Sequence, residues 1–131
     1  MSEKKYKVGQ IVWADLTTNQ ADSLKEFYKD VLGWKEFPVA MKDGEESYND
    51  YAMLIDEKEP ASGICNQRGV NADIPPQWIM YVCVEDVDAT LKTAIEKGGK
   101  LIHESKKSDG TLNYVIVQDP AGAVFGFGKF Q

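Results

Sequence analysis

A chain of 131 residues with 43% hydrophobic and 27% charged side chains can bury one real core and is short for two ordinary domains. Its net charge of −6 argues against a nucleic-acid surface, and its only arginine, Arg68, leaves almost no means of gripping phosphate or carboxylate in a two-pronged fork. No apolar run approaches the ~18–20 residues of a membrane helix, so no membrane partner is expected.

The N-terminal lysines have no apolar stretch behind them, so no secretory signal is expected, and Met1 to Gly9 reads as a polar, frayed tail. Ile11 to Leu16 suits a short buried strand. Thr18 and Asn19 can cap a helix, and Leu24, Phe27, Tyr28, Val31 and Leu32 recur along it at helical spacing as one apolar stripe. Gly33 ends that helix. Trp34 to Met41 is extended, Asp43-Gly44 marks a hairpin turn, and Tyr48 to Ile55 and Ala61 to Asn66 follow as strands. The stretch 67–76, with Gly69, Asn71, Asp73 and Pro75-Pro76, reads as a linker.

The same order then returns. Trp78 to Val84 is an apolar strand, Asp86 caps a helix carrying Val87, Leu91, Ala94 and Ile95, and Gly98-Gly99 close it. Strands are expected from Lys100, over Leu112 to Val117, and over Val124 to Phe130. Gly33 and Gly99 stand 66 residues apart, about half the chain, so the pattern is βαβββ written twice. The modules would span about 9–66 and 77–131 of one domain.

Three stretches, FYKDVLGW (27–34), EDVDATLKTAIEKGGKLI (85–102) and DPAGAVFGF (119–127), in this order and spacing, resemble the vicinal oxygen chelate superfamily. That superfamily includes glyoxalase I, bleomycin-resistance proteins and extradiol dioxygenases. The resemblance implies an α+β fold in which two βαβββ modules curl a roughly eight-stranded mixed sheet around a cavity that holds the ligand. Family enzymes place His, Glu or Gln metal ligands on the inner strands. Here those positions fall at Trp13, near Cys65, at Ile79 and at Gly126. None is a histidine or a carboxylate, so no metal or other cofactor is expected, and the shared Lewis-acid chemistry is not carried over.

Strand alternation from Trp13 puts Ile11, Asp15 and Thr17 on the cavity face and Leu16 under the helix. In the second module Ile79, Tyr81 and Cys83 would face the cavity. The expected ligand-binding set is Trp13, Asp15, Tyr51, Met53, Cys65, Ile79 and Tyr81, since apolar walls with a few polar tips suit a small molecule. Trp13 could stack on a planar ligand or simply fill the space of a lost metal. Asp15 is a candidate base or polar contact, against the plainer role of a rim carboxylate. His103, the sole histidine, is a candidate proton carrier, against the plainer role of a surface side chain. Cys65 lacks a basic neighbour to activate it, and the two cysteines show no metal or disulfide spacing, so a reduced, cytoplasmic protein is expected.

The leading expectation is thus a metal-independent binding protein for an apolar or aromatic small molecule held between the modules. Two alternatives stand beside it. One is a lyase, isomerase or dioxygenase with a metal-free acid/base site or displaced ligands drawn from Glu36, His103 and Glu104. The other is a structural module that pairs as a homodimer.

Overall fold

A computed structural model describes residues 6–130. Eight strands and two helices follow one another as β1 (Ile11–Thr18), α1 (Ala21–Leu32), β2 (Lys35–Asp43), β3 (Glu46–Leu54), β4 (Pro60–Asn66), β5 (Trp78–Cys83), α2 (Val87–Glu96), β6 (Lys100–Lys106), β7 (Leu112–Gln118) and β8 (Val124–Gly128). The fold is α+β with two βαβββ runs and mixed strand pairing, as expected. The chain gathers into two compact units: Ala14–Trp78, and the stretch through Trp13 together with the chain from Ile79 onward. The stretch through Trp13 is bonded to β5, since the Gly9 N–H donates to the Cys83 carbonyl and the Cys83 N–H to that of Gln10, both at 2.8 Å. Of the expected tail, residues 1–5 lie outside the described residues, and the part from Lys7 onward is hydrogen-bonded.

In the Ala14–Trp78 unit the strands lie in the order β2-β3-β4-β1. β1 and β4 run parallel with Asp15 opposite Gly63, and the other neighbours are antiparallel. Helix α1 covers one face, where Leu16, Ala21, Tyr51, Met53 and Ile64 form a core flanked by Leu24, Tyr28 and Trp34. The turn into α1 departs from the expected cap. Thr18 Oγ1 accepts from the Gln20 N–H at 3.2 Å, which shapes the turn, and Gln20 in the cap position makes no side-chain bond. Gly33 ends the helix at φ 75°, a left-handed conformation that costs glycine nothing.

The expected apolar stripe divides. Leu24 and Tyr28 pack inward, while Phe27, Val31 and Leu32 are 55%, 60% and 52% exposed, because the stripe is wider than the surface the sheet offers. The stretch expected as a linker is folded into this unit instead. It holds a short 3₁₀ turn at Gly69–Asn71, buries Ile74, and ties Gln67 Nε2 to the Ile74 carbonyl at 2.8 Å.

In the other unit the order is β5-β8-β7-β6, with β5 and β8 parallel and the rest antiparallel. Asp86 caps α2 as expected, accepting from the Ala89 N–H at 3.0 Å. Val87, Val115, Val117 and Phe127 form the core beneath α2, flanked by Val82, Val84, Leu91, Leu112 and Phe125.

Candidate functional site

Successive strand residues point to opposite faces, so the residues packed on each helix define the face turned away from it. In the Ala14–Trp78 unit, Leu16, Tyr51, Met53 and Ile64 face α1. Asp15, Thr17, Asp50, Gly63 and Cys65 therefore face the other way. Tyr51 and Met53, expected in the ligand wall, are corrected by this register. Tyr51 stands opposite Ile64 in the β3–β4 pairing and shares its face. Its hydroxyl donates to Asp22 Oδ1 on α1 at 2.5 Å, and Lys25 Nζ lies 4.7 Å over its ring. Burial and the Asp22 bond push its phenol up to about 12. Met53 is fully buried in the core. The sequence hid this, because β3 carries large side chains on both faces.

Asp15 lies against Gly63, filling the space that a Cβ there would need. Cys65 belongs to the same face, and its thiol is held well above its ordinary range by burial, reinforced by the charges of Asp15 and Asp50. A thiol kept protonated in this way is a poor nucleophile. Asp50 is buried, and its Oδ1 accepts from the Asn66 backbone N–H at 2.8 Å and from Asn66 Nδ2 at 2.9 Å.

In the other unit, Val82, Val115, Val117, Phe125 and Phe127 pack on the α2 side. Ile79, Tyr81, Cys83, Tyr114, Ile116, Gly126 and Gly128 occupy the opposite face. Ile79 and Tyr81 stand where alternation placed them. Tyr81 meets Tyr114 and Phe130 edge-on, with ring centroids 5.5 and 6.4 Å away. Two glycines make room for these rings. A Cβ at Gly126 would stand 2.5 Å from the Tyr81 ring, and one at Gly128 2.7 Å from that of Phe130. Tyr114 and Phe130 were missed in the sequence. The alternation Gly126, Gly128 within VFGFG was the available signal, since it leaves one face of β8 bare.

His103, expected as a surface side chain in its plainer role, is 7% exposed, with its ring 6.1 Å from that of Tyr114. A bulge between Leu101 and His103 turns it onto this face, which no residue pattern announces. Trp13 is half-buried at the end of the stretch associated with this unit. The residues of a displaced metal site are otherwise engaged. Glu36 binds Lys25 at 2.9 Å and Lys29 at 2.7 Å in one unit, and Glu104 sits 3.6 Å from Lys106 in the other.

The family's metal does not fit the residues present. Trp13, Ile79 and Gly126 offer no side-chain donor suited to a metal ion, which leaves the Cys65 thiol alone among the four positions. Among the described residues no group of three or more His, Cys, Asp or Glu side chains is gathered to hold an ion.

A family model matches nearly the whole chain, and known proteins resemble it more distantly. The model of the Glyoxalase/Bleomycin resistance protein/Dioxygenase superfamily matches residues 10–127. The protein CFP32 of Mycobacterium bovis is 28% identical over 92% of this chain and 46% of its own length. Anthracycline biosynthesis protein DnrV of Streptomyces peucetius is 27% identical over 89% of this chain and 40% of its own. The chain thus spans less than half the length of these curated relatives. Among solved structures, a variant of Streptomyces coelicolor methylmalonyl-CoA epimerase in complex with 2-nitronate-propionyl-CoA matches at TM-score 0.55, with 16% identity over 94% of this chain and 98% of that one. A hypothetical protein of Bacillus halodurans C-125 matches at TM-score 0.58, with 12% identity over 95% and 96%. The chain belongs to the glyoxalase/bleomycin resistance protein/dioxygenase superfamily.

Proposed function

We propose that this chain is a metal-independent binding protein for a planar, apolar small molecule, received on the aromatic face of the unit from Ile79. One observation carries the reading. Where the family's carboxylate ligand would stand there is Gly126, and the Tyr81 ring takes its space. Tyr81, only 4% exposed, together with Tyr114 and Phe130 makes this face aromatic. The names of the anthracycline biosynthesis relatives fit a polycyclic aromatic ligand. Two free cysteines fit a reducing, cytoplasmic setting.

The test is titration with an anthracycline, followed by the ligand's own fluorescence. Saturable binding is expected, weakened about tenfold or more by Tyr81→Ala, as loss of a stacking ring would give. Absence of saturable binding across a panel of polycyclic aromatics would overturn the proposal.

A second reading, metal-free proton transfer, rests on Asp15, a carboxylate on the face it shares with Thr17, Asp50, Gly63 and Cys65. Exchange of an acidic C–H proton for deuterium, lost in Asp15→Asn, would support it. Exchange unchanged by that substitution would exclude it.

A further inference from the structure

Helices α1 and α2 begin at equivalent points of the repeat, Ala21 and Val87, which stand 66 residues apart and are both buried. The same offset sets Leu24 against Thr90 and Tyr28 against Ala94. In the first unit Leu24 and Tyr28 fill the flank of the helix. Tyr28 is backed by Trp34 at 6.1 Å and Trp78 at 5.2 Å, and its hydroxyl accepts from Trp78 Nε1 at 2.9 Å. In the second unit this plug is replaced by the hydroxyethyl side chain of Thr90 and the methyl of Ala94.

Helix α2 meets the core through Val87 and Leu91 and packs on β6 and β7. Its other flank overhangs β5 and β8 without filling the gap. The result is a groove of about 440 Å³, floored by Val82, Val84, Phe125 and Phe127 and roofed by Ala89, Thr90, Thr93 and Ala94. A smaller recess of about 130 Å³ shares Ala94, Lys97 and Phe125 with it. These volumes bracket the lower end of what small-ligand sites enclose, roughly 300–1,000 Å³.

The chemistry of the lining narrows the occupant. The Thr90 hydroxyl donates to the Asp86 carbonyl at 2.7 Å and that of Thr93 to the Ala89 carbonyl at 3.1 Å, so both are spent on the helix. Asp119, in the recess, accepts from the Ala121 and Ala123 N–H groups at 2.8 and 3.0 Å and is occupied with its turn. Lys97 is the one charged side chain of the main groove, and no carboxylate pairs with it among the described residues. An apolar trough with one unpaired ammonium at its end complements an apolar monocarboxylate.

We propose that the groove between α2 and strands β5 and β8 is a second binding site, which takes an apolar monocarboxylic acid with its carboxylate on Lys97. It lies on the helix-covered face, whereas the aromatic face of Tyr81 is the opposite one.

The test is titration of ¹⁵N-labelled protein with sodium octanoate and, in parallel, with 1-octanol. Octanoate should shift the amides of Val82, Val84 and Ala89 to Lys97 saturably. Lys97→Met should weaken octanoate about tenfold and leave octanol unchanged. Ala94→Tyr, which restores the residue of the first unit, should abolish both. Thr90→Leu should do the same with a smaller volume change. Shifts centred on Tyr81 and Tyr114, undiminished octanoate binding in the two filled variants, or a Lys97→Met protein that binds octanoate as before would each overturn the proposal.

Discussion

Tyr81 rests against Gly126 of the parallel neighbouring strand, as Asp15 rests against Gly63 in the other unit. Asp15 and Tyr81 are 66 residues apart and so hold the same place in the repeat. Each unit thus carries one side chain seated on a glycine floor, acidic in one and aromatic in the other. Replacing Gly126 with alanine forces the Tyr81 ring aside. A loss of about 1–3 kcal/mol is expected from such overpacking, read by urea melts, together with weakened aromatic ligand binding. Unchanged stability would mean that the ring can swing away freely.

The Asp15–Gly63 contact predicts a rescue. Gly63→Ala alone should destabilise by about 1–3 kcal/mol, because the new methyl meets the Asp15 carboxylate. In an Asp15→Ala background the same change should cost much less, and a double-mutant cycle measures the difference. Additive effects would show that strand β4 itself, rather than Asp15, resists the methyl.

Tyr51 governs alkaline stability. Its phenol is raised to about 12 by burial and by the bond to Asp22, whereas an unfolded tyrosine titrates near 10. The contribution is therefore complete below about pH 10 and is lost as pH rises toward 12. Tyr51→Phe should cost about 1–2 kcal/mol at pH 7 through the lost charge-assisted bond. It should also flatten the fall in stability over that alkaline window, measured by melts at stepped pH.

Glu36 acts at the other end of the scale. The ammonium groups of Lys29 and Lys25 hold its carboxylate below the usual range. That stability is present above the unfolded glutamate value of about 4.3 and is lost as pH falls below it. Glu36→Gln should cost about 1 kcal/mol at pH 7, a modest figure because the ions are partly solvated, and nothing near pH 2. A cost that persists at pH 2 would assign the loss to packing.

Element order, helix starts and the repeat could be read from the sequence because caps, glycines and alternation are local signals. Asp86 and Gly33 act as expected, and the faces of β1 and β5 follow from simple alternation. The failures came where local pattern carries no sign of direction. On β3, Tyr48, Tyr51 and Met53 are large on both faces, so only pairing with Ile64 decides which side meets α1. His103 needed a bulge to turn it inward, and Thr18 gave its oxygen to the turn before the helix rather than to the helix. The 67–76 stretch is rich in turn residues and still folds back through Gln67 and Ile74, because turn chemistry does not distinguish a tether from a packed loop.

The bond pair joining Gly9 and Gln10 to Cys83 bears on how this chain can be divided. A break placed in the middle, near residue 77, would separate β5 from the backbone groups that satisfy Cys83. The C-terminal fragment would then expose the rim of a sheet and seek a substitute strand from another chain. Fragment complementation, rather than independent folding of either piece, is the behaviour to expect from such a cut.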